Sequence, residues 1–161
     1  MSTKSVILVT GADLATPAVD LLKDYEIIYA GKTPQTEDVI ALCKQHNPIG
    51  VIVRYGKFTA EMMDVAPNLK VISKHGSGTD TIDKTAAQQR GIGVVAAAGA
   101  NAAAVAEHAL SLLLACAKAT VHLNDRMHSG HWDKATFKTL ELNGKTIGLI
   151  GLGAIGQRFA K

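Results

Sequence analysis

Lys145-Thr146-Ile147-Gly148-Leu149-Ile150-Gly151-Leu152-Gly153-Ala154-Ile155-Gly156-Gln157-Arg158-Phe159 is the stretch that decides how this chain folds. A short apolar run leads into Gly-x-Gly-x-x-Gly, and a helix-compatible segment leads out. Three spaced glycines alone are a weak signal. Between a strand and a helix they are the context that a dinucleotide-binding turn requires. Gly151 permits the tight turn, Gly153 lets backbone approach a pyrophosphate, and Gly156 lets helix and strand pack closely. Backbone N–H groups and the helix dipole then meet the phosphate charge. The competing reading is a glycine-rich strand–helix turn with no ligand. An acidic residue that holds a ribose is expected ~20 residues further on. That position lies past Lys161, so NAD and NADP are not distinguished.

Upstream, short apolar runs alternate with helical patterns. Val6 to Val9, Glu26 to Tyr29, Gly50 to Val53, Leu69 to Ser73 and Ile92 to Val95 read as strands. Leu14 to Lys23, Thr36 to Lys44, Thr59 to Asp64 and Asp83 to Arg90 read as the helices between them. Continuous apolar runs suit strands buried on both faces, and strand–helix alternation implies parallel strands with right-handed crossovers. The expected fold is α/β, a flavodoxin-like doubly wound parallel sheet over residues 1–100, followed over 101–161 by the start of a Rossmann domain. Ligands should then gather at the carboxyl ends of the strands. Those ends are Thr10-Gly11, Arg54 to Gly56, Lys74 to Gly78 and Ala96 to Ala100.

Beyond residue 100 the pattern changes. Asn101 is placed to cap a long helix reaching about Ala119, apolar nearly all round through Val105, Leu110, Leu112, Leu113, Leu114 and Cys116. Such a helix should be buried between partners. Thr120 to Asn143 has weak periodicity and reads as an arm. Lys145 to Ile150 reads as a sixth strand, and a helix starts at Ala154.

Composition narrows the function classes. Hydrophobic residues are 47% and aromatics 4%, so aliphatic side chains must pack the core of these 161 residues. A net charge of +3 with scattered Lys and Arg gives no nucleic-acid footprint. The apolar runs are shorter than the ~20 residues of a membrane span. The N-terminus lacks the apolar core and cleavage site of a signal peptide, so a cytoplasmic location is expected. Cys43 and Cys116 are not at redox or metal spacing and read as small buried thiols. His122, His128 and His131 lack Cys or carboxylate partners at ligand spacing, so no metal is expected.

Two further features carry chemistry. Lys74-His75-Gly76-Ser77-Gly78-Thr79-Asp80-Thr81-Ile82-Asp83 leaves the fourth strand and enters a helix. Glycines flanking Ser77 expose successive N–H groups suited to a carboxylate, and Asp80 or Asp83 is placed to cap the helix. An ordinary strand–helix turn fits this stretch equally well. Arg54 ends the apolar strand Val51-Ile52-Val53. Its planar fork suits a carboxylate or phosphate, and a surface arginine in a salt bridge fits equally. Glu107-His108 looks like an acid–base pair, but adjacent helical residues point about 100° apart.

Together these segments resemble the D-isomer-specific 2-hydroxyacid dehydrogenases, the family of phosphoglycerate, glycerate and hydroxypyruvate dehydrogenases or reductases. The resemblance runs through Val53-Arg54, Asn68 to Ile72, His75 to Asp83, Arg90-Gly91-Ile92, Gly99-Ala100-Asn101, Val105 to Leu110, Trp132 and Leu142 to Gly148 before the glycine turn. It implies a backbone cradle for the substrate carboxylate at Ser77 and Gly78, with Ser77 also facing the nicotinamide side of the cofactor. It implies that Arg54 approaches the far end of the substrate and that Asn101 lies near the cleft between domains. It puts Ala154 and Ile155, with Gly151, Gly153 and Gly156, against the cofactor, NAD or NADP. The helix and arm of residues 101–143 resemble the family's dimer interface, so a homodimer acting on a small 2-hydroxy or 2-keto acid is expected. Ala97-Ala98 stands where many members have Thr-Pro, and Thr81 where they often have Asn. These changes bear on substrate choice. The family's catalytic Arg, Glu and His follow the glycine turn and map onto no residue here. The chain is therefore expected to be truncated and inactive alone. The alternatives are a non-catalytic dimerisation or ligand-binding module and a dehydrogenase of similar architecture, such as formate dehydrogenase.

Overall fold

A computed structural model describes residues 4–161. The chain divides into two compact units, Met1–Ala98 and Gly99–Lys161. In the first unit, five four-residue strands alternate with helices. They are β1 (Val6–Val9), β2 (Glu26–Tyr29), β3 (Gly50–Val53), β4 (Val71–Lys74) and β5 (Gly93–Ala96). Between them lie α1 (Thr16–Leu21), α2 (Thr36–His46), α3 (Ala60–Asp64) and α4 (Lys84–Gln89). All pairings are parallel, in the order β2-β1-β3-β4-β5. This is the flavodoxin-like doubly wound order expected from the alternation.

The order follows from the crossovers. The β1-to-β2 connection moves one way along the sheet, and the later ones move the other way. Right-handed crossovers therefore put α1 on one face and α2, α3 and α4 on the opposite face. The core fills the space under α2 to α4, where Leu8, Val51, Val53 and Ile72 of the sheet meet Val39, Cys43, Met62, Met63 and Ala87, with Phe58 fully buried beside them. Burial of each large aliphatic side chain is worth about 1.5–3 kcal/mol, so this layer supplies most of the unit's stability. Local signals fix the helix ends. The Asp83 carboxylate accepts from the Ala86 N–H at 2.9 Å and caps α4. The Asp38 carboxylate accepts from the Gln35 N–H at 3.1 Å, ahead of α2. Burial pushes the Cys43 thiol up to about 11, because the thiolate would lose its water there.

The second unit holds α5 (Ala102–Ala117), α6 (Thr120–His128) and α7 (Ala154–Phe159). Here the structure corrects several expectations. Thr146 to Ile150 forms no strand, and Ile150 is fully exposed. A strand needs a partner for its N–H and C=O groups, and the only sheet among the described residues is the five-stranded one. The apolar helix α5 is not enclosed: Leu110, Leu112 and Leu114 are exposed, and so is Cys116. Asn101 occupies the N-cap position of α5, but its side chain makes no capping bond. In the first unit, only the central strands β1 and β3 are well buried. The edge strands β2 and β5 are half-exposed, as a one-sided neighbour dictates. The arm begins as helix α6 and then runs irregularly. The Arg126 guanidinium pairs with Asp133, which holds that carboxyl below the usual range. His122 stacks on Phe137 with ring centroids 5.2 Å apart. Among the described residues, no single helix is long and apolar enough to cross a membrane.

Candidate functional site

The sheet order reverses between β1 and β3, so the loops leaving these two strands diverge and leave a crevice. A cleft of about 580 Å³ lies there, with Asp13, Lys32, Arg54 and Tyr55 in its wall. Thr10 follows directly after β1. Its hydroxyl is buried, accepts from the Arg54 N–H at 3.0 Å and donates to the Tyr55 carbonyl at 2.9 Å. The Thr10 N–H donates to Ile52 and its carbonyl accepts from Tyr55, so the ends of β1 and β3 are tied together. Arg54 thus leaves a fixed backbone. Its Nη1 donates to both the backbone carbonyl and the carboxylate of Asp13. The salt-bridge reading of Arg54 is therefore present in the structure, and at the ligand-facing end of the sheet. The stem of Arg54 runs close over Gly11, where any Cβ would come within 2.9 Å of its Cδ.

One strand over, the loop after β4 carries Ser77 and Gly78. Val53 pairs with Lys74 across β3 and β4, so Arg54 and His75 leave neighbouring strand ends. The Lys74 ammonium donates to the Arg54 carbonyl at 3.3 Å, and the Ala97 N–H after β5 donates to the Gly76 carbonyl at 3.0 Å. Gly76 takes φ +143, a value that glycine alone accepts readily. It turns the chain so that Ser77 and Gly78 are exposed. Among the described residues, neither the Ser77 nor the Gly78 N–H donates to a protein acceptor. These two adjacent N–H groups at a strand end are thus left without a protein acceptor, with the Asp80 carboxylate nearby: a Cβ on Gly78 would lie 3.1 Å from its Oδ1.

Asn101 and the glycine turn belong to the other unit. Gly151 takes φ +95, and a Cβ on Gly156 would lie 2.3 Å from the Gly151 carbonyl oxygen. These two glycines are demanded by the turn itself. Gly153 is different: its φ is −78, and a Cβ there would meet nothing. Neither the turn's geometry nor its packing explains that glycine. Ala154 and Ile155 follow at the start of α7, both exposed. Ala154 lies beside Gly99, where a Cβ would stand 3.8 Å from its own.

Sequence reasoning singled out Arg54, Ser77, Gly78 and the glycine turn. The structure brings the first three to adjacent strand ends. Thr10, Gly11 and Lys74 were seen only as strand-end residues, and Asp13 and Lys32 were missed. Gly11 directly after an apolar strand was a usable signal. Asp13 carried none, because its partner lies 41 residues away.

The sequence profile of the D-isomer specific 2-hydroxyacid dehydrogenase catalytic domain matches residues 7–153. The chain belongs to this family. It is 38% identical over 149 residues to the D-3-phosphoglycerate dehydrogenase of Archaeoglobus fulgidus, covering 92% of this chain and 28% of that protein. It is 45% identical over 105 residues to the hydroxypyruvate reductase of Thermotoga maritima, covering 65% of this chain and 34% of that protein. Among solved structures, the TT0316 protein from Thermus thermophilus superposes with a TM-score of 0.84 at 32% identity, over 96% of this chain and 51% of that one. The NAD+-bound 3-phosphoglycerate dehydrogenase of Entamoeba histolytica superposes with a TM-score of 0.73 at 27% identity, over 99% and 50%. The glyoxylate/hydroxypyruvate reductase of Sinorhizobium meliloti, solved with NADP, gives 0.74 at 28% identity, over 98% and 49%. The chain thus spans about a third or less of these curated relatives and about half of the solved chains.

Proposed function

We propose that this 2-hydroxyacid dehydrogenase family chain supplies the substrate-side machinery of an NAD(P)-dependent oxidoreductase that interconverts a D-2-hydroxy acid and its 2-keto acid. The observation that carries the reading is the pair of unengaged N–H groups at Ser77 and Gly78, one strand from Arg54. In this reading those N–H groups hold the substrate carboxylate. The Arg54 guanidinium meets the substrate's far end. Asn101 adds a polar group, and residues 1–100 form the substrate-binding domain. Gly151, Gly153 and Gly156, with Ala154 and Ile155, receive the cofactor pyrophosphate and ribose, and Ser77 faces its nicotinamide. The open space at Gly153 supports that fit. The cofactor, when bound, supplies the hydride acceptor or donor. The residues of this chain bind and orient.

No residue of this chain matches the family's catalytic Arg, Glu or His, so the 161-residue polypeptide alone should give no turnover. The exposed Leu110, Leu112, Leu114, Met127 and Trp132 support a homodimer through residues 101–143. Both cysteines are free, in keeping with a reducing cytoplasm.

Replacing Arg54 by Ala tests the reading. A charge-assisted contact is worth about 1.5–3 kcal/mol, so calorimetric affinity for a 2-keto acid should fall about tenfold or more while NAD affinity stays unchanged. Equal losses for both ligands, or no loss, would refute the assigned role.

A further inference from the structure

We infer that Asp13 is a specificity-determining positioning residue: it fixes Arg54 and removes one charge from the switch-point cleft, so that the site prefers a phosphorylated 2-keto acid less than an unpaired Arg54 and Lys32 would. The inference rests on the reading of Arg54 as the group that meets the far end of the substrate.

Four observations converge on Asp13. The Arg54 backbone is fixed by the buried Thr10 hydroxyl, and its stem lies against Gly11, so the guanidinium reaches the cleft along one path. At the end of that path Nη1 is taken twice by Asp13, through its carbonyl and its carboxylate. Arg54 Nε and Nη2 engage no protein acceptor among the described residues and face no competitor for a substrate hydroxyl. The Arg54 side chain is only 20% exposed, whereas that of Asp13 is 77% exposed. Asp13 is therefore an acidic group at the mouth of the cleft, held there by the arginine it neutralises.

Charge then sets how strongly the far end of the substrate is discriminated. The strongly charged side chains lining this cleft are Asp13, Lys32 and Arg54. Lys32 has no carboxylate within ion-pair distance among the described residues. With Asp13 present the lining carries a single net positive charge. A phosphoryl dianion would meet a guanidinium already shared with a carboxylate and would be repelled by that carboxylate. A hydroxyl needs only a donor, and Arg54 still has donors to give.

The test compares hydroxypyruvate with phosphohydroxypyruvate, which differ only by the phosphoryl group. Calorimetric affinities of the 161-residue chain are measured for the wild type, Asp13→Asn and Asp13→Glu. Asp13→Asn keeps the shape and the backbone acceptor but loses the charge. It should strengthen phosphohydroxypyruvate binding about fivefold, the effect of one unit charge across a few ångströms of wet protein surface, and leave hydroxypyruvate within about twofold. Asp13→Glu should retain the wild-type preference. A residue that merely supported the loop would weaken both ligands together, and an unchanged ratio in Asp13→Asn would overturn the inference. If the wild type binds neither ligand, or binds both with no change on Arg54→Ala, the reading of Arg54 itself fails and takes this inference with it.

Discussion

Two apolar segments of nearly the same sequence character behave oppositely in this protein. Gly50-Val51-Ile52-Val53 is a central strand, with Val51 and Val53 fully buried. Thr146-Ile147-Gly148-Leu149-Ile150 is irregular, with Ile150 fully exposed. The difference lies in their neighbours. β3 has β1 on one side and β4 on the other, and three helices above it. The later segment has no strand beside it among the described residues. Strand propensity describes a side chain that fits a pleated, half-buried surface, and only the first segment has been given that surface.

Substitution sharpens the contrast most. Phe58→Ala removes a fully buried ring from the first unit and should cost about 3–5 kcal/mol in urea unfolding. Ile150→Ala should change stability by no more than about 0.5 kcal/mol. Comparable losses at the two sites would mean that the later segment is packed after all.

The two cysteines offer a second contrast. Cys43 sits in the core with its thiol raised from an ordinary value of 9.0 to about 11, and Cys116 is exposed on α5. The folded state holds the Cys43 proton more tightly than the unfolded state does. Its contribution is therefore constant below about pH 9 and is lost as the pH rises towards about 11. Cys43→Ala should flatten the stability profile across that window. At pH 8, a thiol reagent should label Cys116 and spare Cys43.

A smaller effect separates the glycines. Gly153→Ala should keep α7 intact by nuclear magnetic resonance yet weaken NAD binding about tenfold, about 1.4 kcal/mol, because its Cβ would meet nothing in the protein. Gly156→Ala, whose Cβ would strike the Gly151 carbonyl, should disturb the turn itself. The smallest effect is local. Asp83→Ala removes the α4 cap and should cost about 1 kcal/mol in the same unfolding assay.

The sequence made the first unit legible where local and global signals agree. The runs at Val6 to Val9, Glu26 to Tyr29 and Gly50 to Val53 are strands over those very residues. At β4 the apolar run began too early. Leu69 is buried, but its N–H closes a turn onto the Ala66 carbonyl, and pairing with β3 begins only at Val71. Apolarity reports burial, whereas strand membership is set by register with a neighbour, which no local window contains. The same limit explains the false sixth strand and the exposed face of α5. The strand-end positions of Arg54 and the Ser77 loop were legible because strand ends have a fixed meaning in a parallel sheet. The Asp13 partner was not, because a contact between side chains on two separate loops leaves no periodic trace.

The central claim is that Ser77 and Gly78 form a carboxylate cradle. It is tested most directly by titrating the 15N-labelled chain with glyoxylate and, separately, with its neutral amide. The amide resonances of Ser77 and Gly78 should shift with glyoxylate, with Arg54 following, and stay in place with the neutral compound. Resonances that remain fixed, or move equally with both compounds, would contradict it.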